Sequence, residues 1–368
     1  MDDLRHTPLF DQHAALQARR AGFAGYDMPI FYRGIYDETA AVRTACGMFD
    51  VSHMGRLEFP AEAEPFLSRL LTCRVSDIRP ALGRYGLVLN ESGGILDDVI
   101  LYRKVSGDFL LVVNASNRDK ILRWIEARGG RARDRSDATV MIAVQGPKAE
   151  SILSAVVRPP ATGSPYSTVA AIPYFGGADM EWTGLGPVWI SRTGYTGEDG
   201  FELVAPNAQA EKMWQWLLKA GSVAPCGLGA RDVLRVEAGY SLYGSDMDET
   251  VSPFECGLKF AVSPAGGYWG AEALKTRAPR RRLTGLDAGT DPSALIRHGH
   301  VIVLDGREVG QVTSGVFSKT LGRSIGFGSV DVAVPPDAAL AVKGRGKEIP
   351  VRQVSRRFVK GRVKGHPA

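Results

Sequence analysis

Two glycine-rich turns, about a hundred residues apart, limit what this chain can fold into. Residues 90–98 read NESGGILDD and residues 194–202 read GYTGEDGFE, and each turn delivers carboxylates onto the edge of an apolar strand. Glycine permits positive φ angles and a close approach of the backbone to a ligand. Beside Val99, Ile100 and Leu101, a carboxylate is placed where desolvation shifts its proton affinity. The pattern predicts a small-molecule site built from loops, with one acidic group for chemistry and another for recognition.

The composition is that of an ordinary globular protein. The 368 residues are 44% hydrophobic and 23% charged, and this length indicates two or three structural units. No apolar run approaches the ~18 residues that a membrane span requires, and the polar N-terminus, MDDLRH, has no signal-peptide core. The four cysteines are scattered, without a Cys-x-x-Cys pair or neighbouring histidines. We therefore expect a cytoplasmic protein without a metal site.

Basic residues outnumber acidic ones, giving a net charge of +5, and much of the excess lies in residues 275–282 and 356–364. Clustered basic residues suit nucleic acid. These stretches are short, however, and lack the interleaved aromatic residues on which bases stack. An anionic small molecule or an acidic protein partner fits the pattern better.

Helix signals are clearest at two places in the first three quarters of the chain. One helix is expected to begin with Ser116 or Asn117 as its cap and to stop at Gly129. Asn207 is expected to cap a second, which ends at Gly221.

Strand signals surround these helices and then take over. Strands at 98–104 and 109–114 flank a tight turn, and strands at 187–193 and 201–205 flank the second glycine turn. After the basic segment that begins at residue 275 there is no good helix signal, and short strands follow one another at 282–286, 301–304, 308–314, 325–330, 340–342 and 349–354. That spacing predicts a small all-β barrel or sandwich at the C-terminus of an α+β protein.

Asp97 and Asp98 are adjacent, so on an extended strand they point to opposite faces and only one can face a given pocket. Judged by spacing alone, the preferred interpretation is that both cap the turn after Gly93 and Gly94. Tyr85 lies on the strand that enters this turn and can line the same cavity, although half-buried packing is the simpler explanation.

Glu202 alternates with Phe201 and Leu203, so it lies on the opposite face of its strand. It is either a solvent-exposed strand residue or a carboxylate that accepts two parallel hydrogen bonds from an amidine-like edge, such as that of a 2-amino-4-oxo pterin.

Residues 229–240 look helical, which places Arg231 and Arg235 one turn apart and lets Arg235 pair with Asp232. The alternatives are a surface helix with ion pairs and an arginine clamp on a carboxylate.

Two further residue types with reactive side chains have simpler explanations. His53 has no second metal ligand nearby and is interpreted as a hydrogen-bonded structural histidine. Cys256 has no Cys-His-Asn/Asp pattern around it and is interpreted as a buried core residue.

Taken together, the motifs resemble a known family. They occur in the same order as in the folate-dependent aminomethyltransferase and demethylase family, above all in the T-proteins of the glycine cleavage system, and the likeness extends from about residue 7 to 358. The motifs are FDVSHMG at 49–55, the turn at 90–98, VVNASN at 112–117, AVQGP at 143–147, RTGYTGEDGFE at 192–202, ARDVLR at 230–235 and VTSG at 312–315.

The resemblance implies a three-subdomain cloverleaf around a central folate channel, with a C-terminal all-β barrel. Residues 1–274 would form the catalytic region, as two interleaved α+β subdomains, and residues 275–368 the barrel domain. The family's reaction moves a methylene group from the aminomethyl-lipoyl arm of a partner, the H-protein, to tetrahydrofolate, with release of ammonia. No other cofactor is implied.

The resemblance also implies roles for individual residues. Asp98 matches the family's essential aspartate, which overturns the turn-capping interpretation for that residue. Asp97 and Glu198 remain assigned to turn structure. Glu202 matches the residue that holds the pterin ring, and other positions match residues around the ligand: Arg231, Tyr240, Tyr85, Asn114, Tyr195 and Met54. The anionic glutamate tail of folate calls for a basic residue near the C-terminus, and Lys360 is the nearest candidate.

The chain departs from the family pattern at two places. Residues 253–260 read PFECGLKF, with a Glu-Cys-Gly that is similar to the related folate-dependent demethylases, and the C-terminus lacks a Tyr-Tyr pair. A tetrahydrofolate-dependent demethylase of a small methyl donor, such as dimethylsulfoniopropionate, is therefore the alternative function. A folate-binding protein without transferase activity is a third, less favoured one. The basic stretch at 275–282 is the candidate docking surface for the acidic H-protein.

Overall fold

A computed structural model describes residues 4–344 and 346–365; the first three residues of the polar N-terminus lie outside this description. The described chain contains eight α-helices: α1 (Phe10–Ala15), α2 (Ile35–Thr44), α3 (Glu64–Leu70), α4 (Arg118–Glu126), α5 (Ala149–Ser154), α6 (Ala210–Lys219), α7 (Leu228–Ala238) and α8 (Ala271–Thr276). Its strands are β1 (Arg19–Phe23), β2 (Tyr26–Phe31), β3 (Gly47–Asp50), β4 (Gly55–Phe59), β5 (Leu82–Leu89), β6 (Ile95–Arg103), β7 (Phe109–Val113), β8 (Arg133–Asp134), β9 (Thr139–Gln145), β10 (Val157–Arg158), β11 (Gly177–Trp182), β12 (Gly186–Ser191), β13 (Gly200–Pro206), β14 (Ala224–Pro225), β15 (Arg281–Asp287), β16 (Val301–Leu304), β17 (Arg307–Ser318), β18 (Arg323–Asp331), β19 (Leu340–Gly344) and β20 (Lys347–Val354).

Two sheets form the larger part of the molecule, and each carries one of the glycine turns. The first turn joins β5 to β6 in a five-stranded sheet of order β5-β6-β7-β4-β8. The second joins β12 to β13 in a seven-stranded sheet of order β10-β11-β12-β13-β9-β3-β14. Each sheet has its own apolar core, with Leu101 and Leu111 buried in one and Phe201 and Trp214 in the other. The two predicted hairpins are also confirmed, because β6 pairs with β7 and β12 pairs with β13.

The C-terminal strands close into a six-stranded barrel of order β15-β18-β17-β16-β19-β20. Its interior is filled by alternating aliphatic side chains, including Leu286, Ile302, Val312 and Val342. Closure removes the exposed sheet edges that a short-stranded sandwich would leave. The α+β class with a C-terminal barrel is thus confirmed. The exact division at residue 275 stays a prediction, and in the structure that residue lies within α8.

The two helices expected from capping signals are present, but the caps are not. Neither α4 nor α6 has a side-chain hydrogen bond at its N-cap. Instead the Asn117 amide donates to Asp97 at 2.6 Å and the Asn207 amide donates to the Asp137 carbonyl at 2.8 Å. The predicted capping roles are therefore wrong, because each amide is oriented by a tertiary acceptor and not by the first turn of its helix. The predicted stops hold, since Gly129 and Gly221 adopt φ angles of +78° and +75°.

Helix α7 lies between the two parts of the molecule and contacts α2 and β2 on one side and β17 and β18 of the barrel on the other. It ends at Gly239, whose φ is +87° and whose added Cβ would lie 3.0 Å from the Arg356 carbonyl oxygen. Only glycine combines that left-handed conformation with so close an approach of the chain. The end of α7 is thereby fixed against the segment that follows the barrel.

Among the described residues, no helix combines the length and apolar character that crossing a membrane would need.

Candidate functional site

A cavity of about 1330 Å³ opens between the two sheets, the end of α7 and the segment after the barrel. Drug-sized ligands usually occupy ~300–1,000 Å³, so this space exceeds the needs of one small molecule. Eight residues singled out from the sequence line it together, although they are far apart in the chain: Met54, Tyr85, Asp98, Asn114, Tyr195, Glu202, Arg231 and Tyr240. Lys360 is exposed and is not among the described lining residues; Arg356 and Arg357 line the cavity instead.

Asp98 is held on β6 by residues from both neighbouring strands. Strand register pairs Leu87 with Asp98, which puts Tyr85 diagonally across on the same face, and the pairing of Ile100 with Val112 brings Asn114 opposite Asp98. The Tyr85 hydroxyl donates to Oδ2 at 3.0 Å and the Asn114 amide to Oδ1 at 2.8 Å. Burial raises the pKa of Asp98 to about 6, although these two hydrogen bonds oppose the rise. Such a carboxylate can accept a proton near neutral pH.

Asp97 does not cap the turn, so its assignment to turn structure is wrong. The turn is closed by the Asn90 side chain, whose Oδ1 accepts from the Ser92 and Gly94 backbone N–H groups. Asp97 is fully buried on the other face of β6 and accepts from both the backbone N–H and the amide of Asn114. Burial and the neighbouring Asp98 raise the pKa of Asp97.

Glu202 also lines the cavity. It lies on β13 with its side chain facing away from the buried Phe201 and Leu203, as the alternation predicted, and is 9% exposed. The Thr193 hydroxyl donates to its Oε2 at 2.6 Å and orients the carboxylate. A carboxylate that is held in one orientation and is largely shielded from solvent can accept two parallel hydrogen bonds from adjacent N–H groups of a ligand.

The two arginines of α7 have different surroundings. Arg235 bonds to Asp232, Asp246 and the Ser314 hydroxyl, which confirms the expected ion pair. Arg231 lies over the Tyr195 ring, 4.9 Å from its centroid, and its buried Nη1 has no hydrogen-bond partner among the described residues. Burial lowers its pKa from the ordinary value, and Glu202 opposes that effect. An unpaired buried donor in a cavity wall indicates a place for a ligand.

Aromatic rings form the remaining wall. Tyr195 and Tyr240 stack with their centroids 5.7 Å apart, and Tyr85 stacks on Phe260 at 5.9 Å. Phe260 is 77% exposed, which is unusual for a large apolar side chain at a cavity.

Glu198 of the second turn is a structural residue, as expected, but its contacts extend beyond the turn. Its Oε1 accepts from Arg43 at 2.8 Å and from Arg362 at 2.8 Å. Arg43 reaches onward to Glu237 at 2.7 Å. These buried ion pairs tie the second turn to α2, α7 and the C-terminal segment.

His53 and Cys256 are both buried. The Nδ1 atom of His53 has no partner among the described residues, so the hydrogen-bonded histidine is wrong; burial lowers its pKa to about 4 and keeps the ring neutral. Cys256 is fully buried and its thiol pKa is raised to about 12 by burial, which confirms a core residue. Among residues 4–344 and 346–365, no cluster of metal-ligating side chains is found.

The sequence matches two family models that together cover most of the chain. Residues 9–265 match the GCVT N-terminal domain, and residues 281–360 match the glycine cleavage T-protein C-terminal barrel domain. The chain therefore belongs to the glycine cleavage T-protein family.

Individual relatives carry a more specific name. A protein of Thermotoga neapolitana named aminomethyltransferase is 39% identical, and the match covers 98% of this chain and 99% of that protein. An aminomethyltransferase of Rubrobacter xylanophilus is 41% identical, over 95% of this chain and 93% of the relative. The crystal structure of the glycine cleavage system aminomethyltransferase T from Bartonella henselae superposes with a TM-score of 0.88 at 32% identity, covering 98% of this chain and 99% of that one.

Sequence reasoning missed several residues that the structure brings to the site. Arg356 and Arg357 line the cavity, and Asn117 bonds to Asp97 behind it. The nearest signal for the arginines was the basic character of residues 356–364.

Proposed function

We propose that this protein is a tetrahydrofolate-dependent aminomethyltransferase. It takes the methylene group of an aminomethyl-lipoyl arm carried by the H-protein and transfers it to tetrahydrofolate, releasing ammonia. The observation that carries the proposal is the environment of Asp98, a half-buried carboxylate fixed by a phenol and an amide in the wall of a large cavity.

Tetrahydrofolate suits the polar groups that line this cavity. Its pterin ring presents an N–H edge for which Glu202 is the oriented acceptor. Its glutamate tail is anionic, and Arg356 and Arg357 supply positive charge in the cavity wall. These two residues, and not the exposed Lys360, are proposed to bind the tail.

Asp98 is proposed to act on the folate nitrogen that attacks the iminium-like carbon of the donor. An anionic carboxylate orients this nitrogen, stabilises positive charge as it develops and accepts the departing proton. Tyr85 and Asn114 keep the carboxylate in one orientation, so little reorganisation is needed during the reaction.

The demethylase alternative loses the feature that suggested it. Cys256 packs among Leu87, Leu89 and Ile95, and it is not among the described residues that line the cavity. Its neighbour Glu255 accepts from the Ser252 hydroxyl and the Arg280 backbone N–H. The unusual Glu-Cys-Gly therefore supports local structure and gives no reason to assign a different carbon donor.

The deciding experiment is incubation with tetrahydrofolate and aminomethylated H-protein, in parallel with small methyl donors. We expect ammonia and 5,10-methylenetetrahydrofolate to form only when H-protein is present. Formation of 5-methyltetrahydrofolate from a free donor would instead establish a demethylase.

The acidic H-protein is proposed to dock on the basic segment at 275–282. Within it, Lys275 pairs with Glu272 and Arg277 bonds to the Ser92 carbonyl, while Arg280 and Arg281 are exposed. Charge reversal at Arg280 and Arg281 should weaken H-protein binding, and unchanged affinity would exclude this surface. The cytoplasmic location stays a prediction.

A further inference from the structure

Asp97 and Asp98 are joined by one side chain, the amide of Asn114. The Asn114 Nδ2 atom lies 2.7 Å from Asp97 Oδ1 and 2.8 Å from Asp98 Oδ1. Asn114 also lines the cavity. Whatever fixes this amide therefore also fixes the carboxylate proposed to react.

The contacts of Asp97 are of the kind that fix an amide. Its Oδ2 accepts the Asn114 backbone N–H at 3.0 Å, and its Oδ1 accepts the Asn117 amide at 2.6 Å. All of these partners donate, so they fit an acceptor-only carboxylate. Asn117 also follows the strand at the start of α4, which locks the group between strand and helix.

We infer that Asp97 is a positioning residue for the reaction, acting through Asn114 on the orientation and basicity of Asp98. The inference rests on the proposed function, because it concerns the same reacting carboxylate. Asp97 holds the Asn114 amide with its nitrogen toward Asp98, and the hydrogen bond from that amide lowers the pKa of Asp98 against the effect of burial. Asp97 is not among the described residues that line the cavity, so it acts indirectly, through Asn114.

The other titratable groups near Asp98 are neutral or paired. The Tyr85, Tyr195 and Tyr243 phenols and the Cys256 thiol face Asp98 from neighbouring elements, and burial raises the pKa of each, so all are neutral at physiological pH. Lys120 of α4 contacts the Tyr243 hydroxyl and is paired with Glu249. Asp97 is the acidic neighbour that shares the Asn114 amide with Asp98.

The first test is Asp97→Asn, assayed for turnover, folate affinity and the pH profile of kcat/KM. An asparagine turns its own NH₂ toward groups that also donate, so the Asn114 amide loses its fixed orientation. We expect turnover to fall roughly 10- to 100-fold, with folate affinity retained. The acid limb of the pH profile should move to higher pH, because the Asn114 hydrogen bond that lowers the pKa of Asp98 is weakened.

Asp50→Asn is the matched control. Asp50 is also buried, accepts from Thr7 and His13, and is not among the described cavity-lining residues. The same chemical change there should lower the melting temperature and leave the acid limb in place. If Asp97→Asn behaves like Asp50→Asn, Asp97 is structural only and the inference is overturned.

A double-mutant cycle tests the route through Asn114. In an Asn114→Ala background, Asp97→Asn should cost little further turnover, because its connection to Asp98 is already broken. Losses that simply multiply would show that Asp97 acts by another route.

A measurement on the free protein keeps the inference testable if Asp97→Asn does not fold or the wild type does not turn over. Carboxyl ¹³C resonances of labelled aspartate would be titrated in the wild type and in Asp98→Asn. Removing Asp98 should lower the Asp97 midpoint by about one pH unit or more. An unmoved midpoint would refute the coupling, whereas inactivity of the wild type alone would refute only the proposed function.

Discussion

The two glycine turns deliver similar carboxylates but stabilise them in different ways. At the first turn, Asp97 and Asp98 are held by amides and a phenol, and neither forms an ion pair with any residue in 4–344 or 346–365. At the second turn, Glu198 and Asp199 are paired with arginines, and Glu202 faces Arg231 across the cavity wall. Burial at the first turn therefore raises the pKa of both aspartates, whereas at the second turn Glu198 and Asp199 form ion pairs with arginines.

This difference separates chemistry from recognition within a single cavity. A group that exchanges a proton needs a pKa close to the working pH, which burial without a cation supplies. A group that recognises a ligand or locks the fold needs a charge that does not change with pH, which guanidinium partners supply. Substitutions at the first turn should therefore lower turnover, whereas substitutions at the second turn should lower folate affinity or stability.

Asp98→Asn should have the largest effect of these substitutions. Removing the proposed base should lower turnover by about 10²- to 10⁴-fold, because the variant cannot accept a proton. Folate affinity, measured by calorimetry, should persist. The same change at the exposed Asp179 is the control and should leave turnover unchanged. Near-normal activity of Asp98→Asn would remove the first turn from the chemistry.

Arg43→Met should damage stability more than chemistry. It leaves Glu237 buried without its cation and Glu198 with one fewer, a situation that costs ~3–5 kcal/mol. The free energy of unfolding in urea is the measurement, with the exposed Arg307→Met as control. A loss similar to that of the control would mean that the second turn is not held by these ion pairs.

Glu202→Gln should weaken folate binding. Hydrogen bonds to a charged group contribute ~1.5–3 kcal/mol, which corresponds to roughly 10- to 150-fold in affinity. At saturating folate, turnover should recover most of its wild-type value. If instead turnover at saturation falls as much as in Asp98→Asn, recognition and chemistry are not divided between the turns.

The pH dependence of stability should come from the first turn. The pKa values of Asp98 and Asp97 are raised to about 6 and about 8, so the folded protein holds protons that the unfolded chain has released. Stability from this pair is full below pH ~4 and is lost as pH rises toward 8, by up to ~1.4 kcal/mol per pH unit for each proton. Urea unfolding across this range should show the decline, and Asp98→Asn should flatten it. An equal slope in the variant would contradict the assignment.

The smallest effects are expected at the C-terminal basic residues. Arg357→Ala should reduce affinity for a folate with a glutamate tail by roughly 1.5- to 5-fold, as exposed charges contribute little. Lys360→Ala should have no effect, because its side chain is not among the described cavity-lining groups. The reverse ranking would restore Lys360 to the site.

Local patterns predicted the parts of the fold and site that depend on neighbours in the chain. Alternation placed Glu202 opposite Phe201, and strand spacing brought Tyr85 to Asp98. The contacts that were not predicted involve partners distant in the chain, which no local pattern reveals. Glu198 bonds to Arg43, 155 positions away, and Asn117 bonds to Asp97 where a helix cap was expected. The unpartnered Nδ1 of His53 is a further case, since satisfaction of a ring nitrogen depends on packing from several elements.

Arg362 has a consequence for the order of folding. It bonds to Glu198 across 164 positions and to the Arg43 carbonyl across 319, and the same segment brings Arg356 and Arg357 to the cavity. Closing loops of this length is entropically costly and slow relative to local pairing. Sheets and barrel should thus acquire their secondary structure before the wall near Tyr240 is complete. During refolding, the ability to bind folate should appear with a lag behind the far-ultraviolet circular dichroism signal.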